Sequence, residues 1–125
     1  MEALIESDFN YIRNIINDYT FGLYHADVTK LKSIFHPETI LQTPNNRRSL
    51  QQWLADVASR PIPREQGSSK DFNILSVDIV KDQAMVKLEC PLFEHRYIDF
   101  LSLLKENGQW LIVNKMYTDC RDYFD

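Results

Sequence analysis

The sequence predicts an α+β fold in which a strongly curved antiparallel sheet is covered on one face by helices and encloses a small apolar pocket. Apolar residues recur with helical spacing through the first half of the chain and with a period of two through the second. Asn107 and Gly108, set between two long alternating runs, supply the favoured two-residue hairpin turn.

Ile5, Phe9, Ile12, Ile16, Tyr19 and Leu23 fall at alternating steps of four and three, one stripe of a helix over about Ile5 to Tyr24. Tyr11 and Ile15 widen that stripe, as a helix lying across a sheet requires. Asp27 is placed to cap a short second helix carrying Val28, Leu31, Ile34 and Phe35, which Pro37 closes after His36. Glu38 to Thr43 reads as a short strand ending at Pro44, with a loop through Asn45 and Asn46. Ser49 caps a third helix with Trp53, Leu54 and Val57 on its inner side, and PIPREQGSS is loop.

Phe72 to Val80 and Gln83 to Cys90 form a hairpin closed at Lys81 and Asp82, pairing Leu75 with Leu88, Val77 with Val86 and Ile79 with Ala84. Pro91 lacks an amide donor and marks a bulge, an edge or the strand's end. Arg96 to Glu106 and Gln109 to Asp119 follow from the Asn107-Gly108 turn. The register from that turn gathers Tyr97, Asp99, Leu101 and Leu103 on one face with Thr118, Met116, Asn114 and Ile112. The other face receives Ile98, Phe100, Ser102 and Leu104 with Tyr117, Lys115, Val113 and Leu111.

One domain over residues 1–125 is expected, burying roughly two thirds of its unfolded surface. Apolar residues are 44% and charged residues 26% of the chain, which are globular proportions. A formal charge of −4 and a pI near 5.3 argue against nucleic-acid binding, which draws on clustered Lys and Arg; Arg47 and Arg48 are the only adjacent basic pair. The opening residues lack a leader's basic and apolar regions, and no run approaches the ~20 apolar residues of a membrane span, so a cytoplasmic protein without membrane contact is expected. Cys90 and Cys120 have no Cys or His at ligand spacing, and no phosphate loop, Cys-His dyad or Ser-His-Asp order appears. No metal, cofactor or nucleophilic protease chemistry is called for.

The element order, with YTFGLYHADVTKLKSIFHPETIL in the front half and YIDFLSLLKENGQWLIVNKMY at the back, resembles the nuclear transport factor 2-like superfamily. Within it the chain is similar to the putative lumazine-binding family and its SnoaL-like polyketide-cyclase relatives. Asp99, Leu103, Gly108, Trp110, Ile112, Asn114 and Lys115 carry the more specific part of the resemblance. It implies a cystatin-like cone of sheet wrapped around the long first helix, a cavity at the wide end of the cone and a homodimer. The implied function is binding of a small apolar or planar organic ligand; cyclisation, isomerisation or dehydration by acid-base catalysis is the alternative.

Asp99, in an apolar strand, is the candidate general acid or base, and equally reads as a carboxylate bonded to a neighbouring amide. His36, where the second helix turns into sheet, is the candidate second catalytic group, or a helix-terminal His favoured by the dipole. Tyr19, Tyr24 and Trp53 are either ligand-orienting aromatics or core, while Tyr97, Asn114 and Met116 share the face of Asp99 as candidate ligand contacts. Lys115 falls on the opposite face, where it reaches the sheet edge or pairs across an interface. That face collects Ile98, Phe100, Leu104, Leu111, Val113 and Tyr117, a patch a second copy of the chain would cover.

Overall fold

The computed structural model describes residues 2–122, with side chains from Ser7 onward. Helix α1 (Glu2–His25) leads into α2 (Val28–Ile34), β1 (Phe35–Thr43), β2 (Asn46–Ser49), α3 (Leu50–Ser59), a 3-10 turn (Pro63–Gln66), and strands β3 (Asn73–Val80), β4 (Gln83–Leu92), β5 (His95–Glu106) and β6 (Gln109–Asp119). The six strands form one sheet in the order β2-β1-β6-β5-β4-β3.

The stripe on α1 buries Ile12, Ile15, Ile16, Tyr19 and Leu23 against the sheet, while Phe9 stays exposed and Ile5 lies outside the residues whose side chains are described. Asp27 caps α2, its carboxylate accepting the Lys30 amide at 3.0 Å. Gly22 lets the two helices close on each other, because a Cβ there would stand 2.6 Å from the Leu31 side chain. Ser49 and Gln52 make the reciprocal capping box of α3, with bonds of 3.1 and 2.9 Å.

Three local expectations change. Helix α2 ends at Ile34, and Phe35, His36 and Pro37 already belong to β1; Pro37 pushes His36 toward extended backbone, which is strand geometry. Asn46 opens β2 rather than continuing a loop, since Asn45 takes the left-handed conformation (φ 65°) and turns the chain tightly back. The sheet is mixed, because β1 lies parallel to β6 while every other neighbouring pair is antiparallel. The intervening chain, from β2 to β5, provides the long crossover that a parallel pair needs.

Val77 faces Val86 and Ile79 faces Ala84 as expected, but a slip beyond Ser76 puts Ile74, not Leu75, opposite Leu88. Pro91 lies within β4 past the last β3 partner, so its missing amide interrupts no ladder on that side.

The largest departure is on β6. From the Asn107-Gly108 turn the pairs run as expected through Leu104 with Leu111 and Leu103 with Ile112, but Ser102 then faces Asn114, leaving Val113 as an extra residue. Strand β1 breaks register at the same level, and the Thr39 hydroxyl there donates to the Ile112 carbonyl at 2.9 Å. Beyond this bulge every β6 side chain changes face. Lys115 and Tyr117 turn toward the helices with Leu101 and Asp99, and Asn114, Met116 and Thr118 turn outward with Ser102, Phe100 and Ile98. No helix among the described residues is long and apolar enough to cross a membrane.

Candidate functional site

Strand alternation and register place five charged or hydroxylated side chains in one neighbourhood of the inner face. Arg48 on β2 pairs with Leu41, Leu41 with Lys115, and Lys115 with Leu101, so both cations stand in one row across the sheet. The next row joins Tyr117 to Asp99, and Asp99 to Leu88 on β4; Tyr97 lies two residues along from Asp99. Trp53 and Arg60, from the middle and the end of α3, close the space above with Leu92 and Phe93. The cavity measures about 230 Å³ and opens to solvent.

Among the described residues Asp99 is the wall's only carboxylate, and it is almost fully buried. Its Oδ2 accepts the Tyr19 hydroxyl at 2.6 Å and the Cys90 thiol at 3.3 Å, and lies 3.8 Å from the Lys115 ammonium. That ammonium stands over three aromatic faces, 4.5 Å from the Trp53 ring centre, 5.1 Å from Tyr117 and 5.2 Å from Tyr19. Arg48 is anchored by Asp56 at 2.8 Å and donates to the Tyr117 hydroxyl, while Arg60 lies 5.8 Å from the Phe93 ring.

Burial dominates the titration of these groups. It pushes the Tyr19 phenol and the Cys90 thiol well above their usual values, and the Asp99 carboxylate raises both further. Lys115 falls below the usual lysine range because loss of solvent outweighs the attraction of Asp99. Arg60 is lowered and Tyr97 raised, each chiefly by burial.

Of the residues the sequence singled out, Trp53, Tyr97 and Asp99 line the cavity, and Tyr19 lies behind Asp99 as its hydrogen-bond donor. Tyr24 is half-buried near the end of α1 with its ring edge-on to His25. His36 lies at the start of β1, its Nδ1 accepting the Glu38 amide at 3.0 Å, and is not part of the cavity wall. Asn114 and Met116, expected beside Asp99, are turned by the bulge to the outer face, where Asn114 accepts from Gln42 at 2.7 Å and Met116 is exposed.

Lys115, Tyr117, Arg48 and Arg60 are the polar wall residues that the sequence reading does not assign to a ligand, and Leu92 and Phe93 are the apolar ones. Lys115 carried a signal, as a lone cation in an apolar strand. Arg48 carried half of one, since alternation sends one of Arg47 and Arg48 inward. A larger groove of about 490 Å³ between α2 and α3, walled by Val28, Phe35, Leu50 and Leu54, contains no buried ionisable group. Convergent polar groups make the smaller cavity the candidate site.

Residues 7–118 match the model of a family described as Putative lumazine-binding. Among solved structures, the chain is similar to an NTF2-like protein of unknown function from Silicibacter pomeroyi, with 21% identity over 92% of this chain and 98% of that one and a TM-score of 0.74. An NTF2-like protein of unknown function from Shewanella baltica gives 22% identity over 90% and 94%, with a TM-score of 0.78. A protein from Novosphingobium aromaticivorans named as a putative scytalone dehydratase gives 14% identity over 95% and 88%, with a TM-score of 0.67. At these identities the likeness carries the fold alone. No curated protein matches the chain.

Proposed function

The chain belongs to the putative lumazine-binding family, with an NTF2-like fold, and from that premise we propose that it is a small-molecule-binding protein whose ligand occupies the cavity between α3 and the inner face of the sheet. The observation that carries this reading is a concave space with aromatic walls, Trp53, Phe93, Tyr97 and Tyr117, around a few fixed polar groups. The protein acts as one cytoplasmic domain. A thermal-shift screen against pteridines, flavins and planar polyketide-like compounds tests the reading. Saturable stabilisation by at least one class supports it, and a flat screen contradicts it.

A second reading, acid-base conversion of the ligand by cyclisation, isomerisation or dehydration, is favoured by the convergence of Tyr19, Cys90 and Lys115 on Asp99. The second polar group of such a reaction is then Lys115, which lines the cavity beside Asp99, rather than His36 or Tyr24, which do not line it. Mass spectrometry of each stabilising compound after incubation separates the two readings. A product that disappears with Asp99→Asn marks an enzyme, and unchanged compound marks a binding protein.

The outer sheet face suits a homodimer. Phe100, Leu104, Leu111 and Val113 are half-buried there, and Ile40, Met85 and Met116 are each about 40% exposed. Of the residues counted in that patch from sequence, Tyr117 is turned by the bulge into the cavity and Ile98 is already buried within the chain, so neither belongs to it. Phe100→Glu places like carboxylates across a two-fold contact, so the wild type is expected to elute as a dimer by light scattering and the variant as a monomer. A monomeric wild type at micromolar concentration excludes this interface.

A further inference from the structure

We propose that the cavity takes a small planar carboxylate, its anionic group received by Arg60 with Lys115 and its ring held between the aromatic walls. This rests on the reading that the cavity is a small-molecule site, and it names the ligand's chemistry.

Charge is the first ground. Among the described residues the wall contains three cations, Arg48, Arg60 and Lys115, and one carboxylate, Asp99, in a chain whose formal charge is −4. The local excess of positive charge therefore opposes the sign of the whole protein. Two of the three cations have partial compensation: Arg48 from Asp56, and Lys115 from Asp99. Arg60 takes part in none of the ion pairs among the described residues. Its Nε and Nη2 are buried without a hydrogen-bond partner, as is Nε of Arg48. Buried donors without acceptors are destabilising, and a guanidinium's fork of N–H groups matches a carboxylate.

Asp99 does not fill that role for Arg60: its contacts run through Oδ2 to Tyr19, Cys90 and Lys115, and neither of its oxygens is paired with Arg60 among the described residues. A cationic ligand is disfavoured by the same geometry. The aromatic faces of Trp53 and Tyr117 that would attract one are occupied by the protein's own Lys115 ammonium. Size sets the remaining limit. At about 230 Å³ the cavity lies below the range of roughly 300–1,000 Å³ typical for drug-sized ligands, which suits a single ring bearing one acidic group.

The test titrates benzoate, benzamide and benzylamine into the wild-type protein and follows the Trp53 indole and the amides of Tyr97, Asp99 and Lys115 by NMR. Benzoate is expected to bind at least about tenfold more tightly than benzamide, with benzylamine weakest. Arg60→Gln is expected to bring benzoate down to the level of benzamide, and Arg60→Lys to retain part of the difference. Benzamide or benzylamine binding in the cavity as tightly as benzoate overturns the carboxylate assignment while the cavity remains a small-molecule site. Silence of the cavity signals with all three probes also overturns it, and the broader thermal-shift screen then decides separately whether the cavity binds anything. The wild-type series needs no variant, so a misfolded Arg60 substitution does not blunt the test.

Discussion

Asp99→Ala is expected to destabilise the protein by about 3–5 kcal/mol, the loss typical of breaking a buried ion pair from one side. The substitution leaves Lys115 charged and 5% exposed, with only aromatic faces beside it, and removes the acceptor of the Tyr19 hydroxyl. Urea unfolding measures the loss against a total stability on the order of 5–15 kcal/mol. The double variant Asp99→Ala, Lys115→Met removes the uncompensated charge and is expected to regain most of it. The pH dependence has a definite sign. Lys115 has a lower pKa folded than unfolded, so the unfolded chain binds the extra proton and stability rises with pH between the depressed value and the usual lysine range. Loss of Asp99 removes the attraction that opposes this depression, so the single variant is expected to recover part of its stability between neutral pH and about pH 10. A single variant within 1 kcal/mol of the wild type, flat with pH, would show that Lys115 does not depend on Asp99.

Trp53→Ala is expected to cost about 3–5 kcal/mol and to enlarge the cavity at the same time. The indole is 2% exposed, its ring centre is 5.4 Å from that of Phe35, and it forms the aromatic face nearest the Lys115 ammonium. Trp53→Phe keeps a ring over Lys115 and is expected to lose less than half as much. Thermal unfolding of the two variants checks the order. Equal losses would mean that a phenyl ring kept over Lys115 contributes nothing there. The enlarged cavity is also expected to shift binding toward larger planar compounds in the same screen.

The elements were legible where local chemistry determines them. Asp27 and Ser49 cap as their side chains predict, and β6 occupies Gln109–Asp119, the range the Asn107-Gly108 turn implies. The α+β class and the curved sheet follow from the same signals. What the sequence could not display is the bulge at Val113, because it ends the continuous apolar run Trp110 to Val113, where alternation alone cannot reveal one inserted residue. That single residue decides the site. Without it Asn114 and Met116 face Asp99, and with it Lys115 and Tyr117 do. The approach of Arg48 and Arg60 is tertiary: one comes from a four-residue strand and the other from the end of α3. A pocket expected to be apolar is consequently charged, and the cation read as an interface residue lies at its floor.

Chemical-shift mapping of the wild-type protein with a mixed set of acidic and neutral planar fragments tests most directly the claim that this cavity is the ligand site. Saturable shifts are predicted at the Trp53 indole and at Tyr97, Asp99, Lys115 and Tyr117, with the outer-face residues Phe100, Asn114 and Met116 unmoved. Saturable shifts confined to the outer face or to the groove between α2 and α3, with the cavity signals silent, would contradict it.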